Sequence, residues 1–237
     1  LIKEFENLTH RPDFVLEKTM KHKQSINSLI YKIINESQKI INSYDCKVII
    51  QGDAASSFAV ALSAFNEGKE VIHVEAGLRT HNLRSPFPEE GFRKMISHIS
   101  NIHFCPTIKS VENLKNEGIT ENVHLVGNTI VDSCAQIIEK GESSDYLNEL
   151  ISSNDDYYLC TLHRRENINN FQSMWEQLNQ ISEKKTIIYI KHPSVPNSED
   201  FLGKNIIKLD PMTYQDMVFA IKNSKGLISD SGGLQEE

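Results

Sequence analysis

The stretch CKVIIQGDAASSFAVALSAFNEGKEVIHVEAG, residues 46–77, contains one repeat of the strand and helix pattern from which the fold class is predicted. CKVIIQGD is a short β-branched run ending at Gly52 and Asp53. AASSFAVALSAFNEG is small and apolar enough for a closely packed helix that ends at Gly68. EVIHVEAG then begins another strand, so the stretch predicts a βα unit.

The same alternation continues along the chain in both directions. Residues 17–43 have the apolar spacing of a helix. Near-continuous apolar runs, typical of strands buried on both faces, alternate with helical segments. The later strands predicted in this way are IHFCPT, VHLVGN, YYLCTL, TIIYIKH, NIIKLD and GLISD. The pattern predicts an α/β protein with parallel sheets and helical crossovers.

A polar segment divides the pattern. Ser, Asp and Asn are frequent between about residues 138 and 155, which suggests a connection between domains. The prediction is therefore two Rossmann-like domains that face a cleft, the first at 1–140 and the second at 141–237. Ligands of open parallel sheets bind beyond the carboxyl ends of the strands, so the chemistry is expected in the loops that follow strands.

Composition and charge limit the function classes. The net charge of −7 gives no general attraction to nucleic acid, and no apolar run reaches the roughly 18 residues of a membrane span. The four cysteines lie far apart, so reduced core thiols are expected. The first residues do not resemble a signal peptide. These features predict a cytoplasmic protein with neither a membrane nor a nucleic-acid partner.

Polar side chains follow the predicted strands of the first half. Asp53 comes directly after a strand, although an Asp there often only caps a helix. After the next strand, HVEAGLRTHNLRSPFPEE (73–90) combines acidic and basic side chains with rigid prolines. The alternative is a solvated surface loop, in which Glu89 and Glu90 only stabilise the helix that they begin by interacting with its dipole. The position of the loop after a strand nevertheless makes it a candidate site.

Two loops of the second half carry polar groups as well. TLHRREN places His163 beside two arginines, which suits a neutral imidazole or an anion site, with an exposed basic turn as the alternative. SDSGGLQEE (229–237) places two glycines at a helix start, where backbone N–H groups can approach a phosphate or diphosphate. A capped helix with a glycine-rich entry is the alternative. The spacing matches neither a Walker loop nor the dinucleotide fingerprint.

Taken in order, QGD, HVEAGLRT with SPFPEE, GNTIVD, HRREN and SDSGGLQEE resemble the non-hydrolysing UDP-N-acetylglucosamine 2-epimerases over roughly residues 45–237. The resemblance implies a glycosyltransferase B-type fold, with the nucleotide held mainly by the second domain. It also implies interconversion of UDP-GlcNAc and UDP-ManNAc for cell-surface polysaccharides. In such enzymes the C2 proton is removed and UDP departs to give a 2-acetamidoglucal, to which UDP adds back with C2 inverted.

The resemblance also implies roles for single residues. Asp53, Glu75 and Glu89 match the acid/base carboxylates, and His163 matches the histidine that stabilises departing UDP. Arg79 is expected to orient the site and contact substrate. The other residues matched to substrate binding are Ser231, Gly232 and Gly233 at the diphosphate, Glu237 at the ribose, and Met212 and Met217 in the uracil-side loop. No cofactor and no metal are implied.

The sequence also departs from the family pattern. Family members begin with a βα unit that supplies an Arg and a Lys, and they continue past QEE with a further Arg and helices. The chain therefore resembles an internal segment truncated at both ends, and it is expected to be inactive by itself. Relatives are commonly homodimers, so a homodimer is expected of the full-length protein.

Two other functions fit the sequence less well. A hydrolysing epimerase would release free ManNAc and UDP, although EAGLRT and SPFPEE match the non-hydrolysing pattern better. A UDP-sugar glycosyltransferase or binding module could share the architecture, because a fold does not determine a function. If Asp53, Glu75 and Glu89 do not converge on one cleft, the epimerase mechanism fails and simple UDP-sugar binding remains.

Overall fold

A computed structural model describes residues 12–16, 19, 24–154, 156–162, 171–192, 195 and 203–236. The chain divides into two compact units, Leu1–Asn128 and Thr129–Glu237. Each unit contains a four-stranded sheet whose strand pairs are all parallel. The predicted α/β class and parallel pairing are confirmed.

The first unit is a regular alternation of strands and helices. Its sheet has the strand order β1-β2-β3-β4, so each crossover joins neighbouring strands. The elements are α1 (Ile26–Asn42), β1 (Val48–Gln51), α2 (Ala55–Asn66), β2 (Val71–Val74), α3 (Glu89–Ile99), β3 (Ile102–Cys105), α4 (Ile108–Asn116) and β4 (Val123–Leu125).

Small residues let the helices of the first unit pack closely. Ala59, Ala61 and Ala64 of α2 are fully buried, and α1 and α3 both pack against this helix. Phe58 of α2 stacks on Phe92 of α3 with ring centroids 4.9 Å apart. This packing fixes α3 beside the carboxyl ends of β1 and β2, where the predicted acidic residues lie.

The second unit uses a different strand order. Its sheet runs β7-β6-β5-β8, so the chain passes to the other side of β5 before the last strand. The elements are α5 (Thr129–Lys140), α6 (Asp145–Ser152), β5 (Tyr157–Thr161), α7 (Phe171–Ser182), β6 (Thr186–Ile190), β7 (Ile206–Leu209), α8 (Tyr214–Asn223), β8 (Gly226–Ser229) and α9 (Gly232–Glu236).

The division between the units differs from the predicted one by one helix. The sequence places the boundary after residue 140, but α5 packs against α8, where Cys134 Sγ lies 3.5 Å from the Tyr214 hydroxyl. The polar connection also contains a helix that composition alone did not indicate. This helix, α6, begins at the Ser144 cap and buries Leu147 against the second core.

The cysteines are all free, but they are not all core residues. Cys105, Cys134 and Cys160 are buried, whereas Cys46 is exposed, so the prediction of four core thiols is wrong for that residue. Burial raises the pKa of Cys105 to about 11 and that of Cys160 to about 12. Across the described ranges, no helix is both long and apolar enough to cross a membrane.

Candidate active site

The turn after β1 is held by its neighbour β2. Gly52 has a φ of +71°, a left-handed conformation that favours glycine. Its N–H donates to Val74 O at 3.1 Å, and its carbonyl lies 3.0 Å from Nε2 of His73. Asp53 follows directly after Gly52, whose N–H and carbonyl are both held by hydrogen bonds to β2.

The next strand ends in a second left-handed residue, Glu75, with a φ of +67°. This conformation is uncommon for a residue with a side chain and is often found at functional sites. The following N–H, that of Ala76, donates to Phe104 O at 3.0 Å and so fixes the bend. Oε2 of Glu75 lies 3.4 Å from the position that a β-carbon on Gly52 would occupy. The Glu75 carboxylate therefore lies against the turn that carries Asp53.

Arg79 is an internal anchor of the loop between β2 and α3. Its side chain is 0 % exposed. The guanidinium donates to both carboxylate oxygens of Glu117, at 3.0 and 2.8 Å, and also to Leu78 O and Ser97 Oγ. Hydrogen bonds from Arg79, aided by Lys94, lower the pKa of Glu117 to about 2. This burial favours the predicted orienting role of Arg79 over the predicted contact with substrate.

Glu90 closes the same loop onto α3. Its carboxylate is fully buried and accepts hydrogen bonds from the backbone N–H groups of Thr80 and His81, each at 3.0 Å. Arg93 adds a third donor at 3.3 Å. Burial raises the pKa of Glu90, but these hydrogen bonds and the Arg93 charge outweigh that effect and bring it below its ordinary value. Glu90 is therefore a structural carboxylate.

Glu89 has a different environment although it is the adjacent residue. It is half-buried at the first position of α3, and its carboxylate forms neither a hydrogen bond nor an ion pair within the described part of the chain. Of the two acids that begin the helix, Glu89 is therefore the one available to a ligand.

Arg93 connects these acids and was not predicted from the sequence. Its Nε donates to Asp53 Oδ2 at 2.7 Å while Nη1 reaches Glu90. Arg93 lies four residues after Glu89, so both point to one side of α3. The i,i+3 spacing from Glu90 was a visible signal, but the link to Asp53 spans 40 residues. The structure thus brings Asp53, Glu75 and the start of α3 to one end of the first sheet.

The predicted diphosphate loop follows β8 in the second unit. The Ser231 N–H donates to Ser229 Oγ at 3.0 Å, and Ser231 Oγ accepts from the Leu234 N–H at 3.4 Å. Gly232 and Gly233 are exposed in the first turn of α9. A β-carbon on Gly233 would meet only Ser231 Oγ, at 3.9 Å, so the fold itself does not exclude a larger residue there. His163 and Glu237 lie outside the described residues.

The two predicted uracil-side methionines lie around the start of α8. Met212 and Met217 are half-buried and pack against the second core. Met212 also lines a cavity of about 360 Å³, together with Ser144, Tyr146 and Lys208. Within the described ranges, no group of three or more His, Cys, Asp or Glu side chains is arranged to hold a metal ion.

Each unit has an open parallel sheet, and the acidic residues of the first unit follow the carboxyl ends of its strands. These features define an α/β protein of the class whose ligands bind beyond the carboxyl ends of the strands. A family model described as UDP-N-acetylglucosamine 2-epimerase matches residues 2–237. The chain belongs to the UDP-N-acetylglucosamine 2-epimerase family.

Individual relatives agree with this assignment. The UDP-N-acetylglucosamine 2-epimerase of Campylobacter jejuni is 33% identical over 254 residues, which cover 96% of this chain and 64% of that protein. The enzyme of the same name from Methanococcus maripaludis is 39% identical over 207 residues, covering 80% and 56% of the two chains. The chain thus spans less than two thirds of these relatives' length.

Solved structures confirm the predicted fold class. The UDP-GlcNAc 2-epimerase of Neisseria meningitidis, bound to UDP-GlcNAc, superposes with a TM-score of 0.81 at 32% identity and covers 92% of this chain and 63% of its own. The Methanocaldococcus jannaschii enzyme in complex with UDP-GlcNAc and UDP gives a TM-score of 0.76 at 32% identity, with 90% and 63% coverage.

Proposed function

We propose that the protein containing this chain interconverts UDP-GlcNAc and UDP-ManNAc by inverting C2 of the sugar. The observation that carries the proposal is the grouping of Asp53, Glu75 and the start of α3 at one end of the first sheet. Epimerisation at C2 needs a base that removes a proton and an acid that returns one, and carboxylates supply both. Relatives of the same fold have been solved with UDP-GlcNAc bound.

The chemistry proceeds by elimination and re-addition. One carboxylate takes the C2 proton, the C1–C2 double bond forms, and the C1–O bond breaks with its electron pair leaving on UDP. A carboxylate then delivers a proton to the opposite face of C2 as the UDP oxygen bonds again to C1. Glu89 is suited to such transfer because its carboxylate is not engaged within the described residues, whereas Glu90 is held by three donors.

The remaining roles follow from the family resemblance. His163 stabilises departing UDP, and Glu237 accepts from the ribose hydroxyls. Ser231, Gly232 and Gly233 approach the diphosphate, for which the open space around Gly233 leaves room. Met212 and Met217 border the base, and Arg79 holds the loop between β2 and α3 in place.

Turnover in deuterated water tests the proposal. The protein expressed from its complete reading frame is incubated with UDP-GlcNAc, and the products are examined by NMR and mass spectrometry. UDP-ManNAc carrying deuterium at C2 is the expected result. Free ManNAc with UDP would instead identify a hydrolysing epimerase, and tight binding without turnover would identify a binding module.

The cellular role and assembly extend the same proposal. We expect the product to supply ManNAc units for cell-surface polysaccharide and the complete protein to be a homodimer. Loss of ManNAc from the surface polysaccharide after gene deletion checks the role, and light scattering of the purified protein checks the assembly.

A further inference from the structure

Two buried histidines lie side by side beneath the acidic residues of the first unit. His73 of β2 and His103 of β3 are cross-strand partners in the parallel register. They are 1% and 2% exposed, and their Nδ1 atoms are buried without a hydrogen-bond partner in the described structure. Buried polar atoms without a partner are rare, so the two unpartnered Nδ1 atoms require an explanation.

The hydrogen bond of His73 determines its tautomer. The Gly52 carbonyl can only accept, so Nε2 of His73 must carry the proton and donate across 3.0 Å. Nδ1 is then the bare nitrogen of a neutral ring. Burial, opposed in part by the Gly52 hydrogen bond and aided by the nearby His103 and Arg79, lowers the pKa of His73 to about 4. The ring therefore stays neutral near pH 7.

The acceptor of this hydrogen bond belongs to the turn that orients two acids. Gly52 immediately precedes Asp53 and lies against the carboxylate of Glu75. Without the His73 donor, Gly52 itself would keep one of its described hydrogen bonds, that from its N–H to Val74 O, while Ser57 Oγ would still donate to Gln51 O. The carbonyl of Gly52 would also lose its buried partner, which favours rotation of the peptide that leads to Asp53.

We propose that His73 is a positioning residue that sets the placement of Asp53 and Glu75 through the Gly52 carbonyl. This inference deepens the proposed function and depends on it for its kinetic readout. His73 does not reach the substrate, because it is buried under the turn. Its removal should therefore lower kcat and leave KM nearly unchanged, since small displacements of acid/base groups act on the chemical step.

Three variants of the complete protein test the inference. His73→Leu removes the donor, His73→Gln keeps an N–H near the position of Nε2, and His103→Leu is the matched control. His103 is equally buried and adjacent, but its backbone partner is Ser100 at the end of α3, away from the Gly52 turn. We expect kcat to fall about 100-fold in His73→Leu. Most of that loss should be recovered in His73→Gln and absent from His103→Leu.

Wild-type kcat in His73→Leu overturns the inference, and so does an equal loss in His103→Leu, which would show a general effect of the core. NMR of the ¹⁵N-histidine-labelled wild type decides the hydrogen bond without turnover. A single Nε2–H tautomer at neutral pH is expected, and an Nδ1–H tautomer or a doubly protonated ring contradicts it. If the wild type does not turn over UDP-GlcNAc, the proposed function fails, while the NMR result still decides the contact on which the inference depends.

Discussion

Arg93 Nε donates to Asp53 Oδ2 across 2.7 Å and so ties helix α3 to the carboxyl end of β1. The same guanidinium reaches the buried Glu90, and its side chain is only 17% exposed. One cation thereby fixes the distance between a candidate catalytic carboxylate and the helix that carries another.

Arg93→Met should lower both stability and turnover. The substitution keeps most of the packing but leaves Glu90 without its ion pair, which should cost about 3 kcal/mol of unfolding free energy. Asp53 loses its anchor, so kcat should fall as well. Urea unfolding and UDP-GlcNAc turnover measure the two effects. Lys109→Met is the control because it removes only an exposed pair with Glu112, and an equal loss there would contradict the prediction.

The adjacent acids Glu89 and Glu90 should separate activity from stability. Glu89→Gln should abolish turnover while leaving the unfolding free energy nearly unchanged, because the Glu89 carboxylate forms no bond within the described residues. Glu90→Gln removes the charge that three donors bind, which should cost about 2 kcal/mol of stability. The two variants are compared by urea unfolding and by turnover. A stable, inactive Glu90→Gln with an active Glu89→Gln would reverse the assignment.

The sequence predicted more of the fold than of the site. Hydrophobic patterning located all eight described strands because each is a short run of mostly apolar residues. Burial on both faces explains such runs in β5 and β6, whereas β1 and β4 leave Ile49 and Leu125 exposed. Helix α6 was missed because its single buried residue, Leu147, lies in a polar segment. The Asp53–Arg93 pair and the burial of Arg79 depend on contacts between residues 38 to 40 positions apart. Local patterns cannot report such pairings, so the sequence indicated candidate acids and an orienting Arg79 but gave no sign of the link from Arg93 to Asp53 or of the partners that bury Arg79.

Gly77 and Gly233 should respond differently to alanine. At Gly77, whose φ is +85°, a β-carbon would lie 2.3 Å from Ser110 O, so Gly77→Ala should lose at least about 2 kcal/mol of stability. At Gly233 the nearest atom would be 3.9 Å away, so stability should stay within about 0.5 kcal/mol. If a diphosphate approaches Gly233 closely, the same change should weaken UDP binding at least about tenfold.

Thermal unfolding and calorimetric titration with UDP, both on the complete protein, check these expectations. Each variant is the control for the other, because the added methyl group is the same. Unchanged UDP affinity in Gly233→Ala would show that the diphosphate does not bind close to this turn. A fully stable Gly77→Ala would contradict the close packing of the loop on α4.

Acid should destabilise the first unit in two successive pH windows that adjoin near pH 4. The folded-state pKa of His73 is lowered by burial from 6.5 to about 4, so between these values the unfolded chain binds a proton that the folded chain does not. Unfolding free energy should therefore fall by about 3 kcal/mol as pH drops through this window. His103 adds to the loss because burial lowers its pKa too. Glu117, whose pKa Arg79 lowers from 4.5 to about 2, acts in the lower window.

Urea unfolding measured at closely spaced pH values checks this prediction. His73→Gln has no titrating ring, so the slope of unfolding free energy against pH should become shallower between pH 6.5 and about 4, while the dependence below pH 4.5 remains. An unchanged slope in His73→Gln would mean that His73 already binds a proton in the folded chain near pH 6. In that case Nδ1 would have an acceptor nearby, because a buried imidazolium requires a partner for each of its two N–H groups.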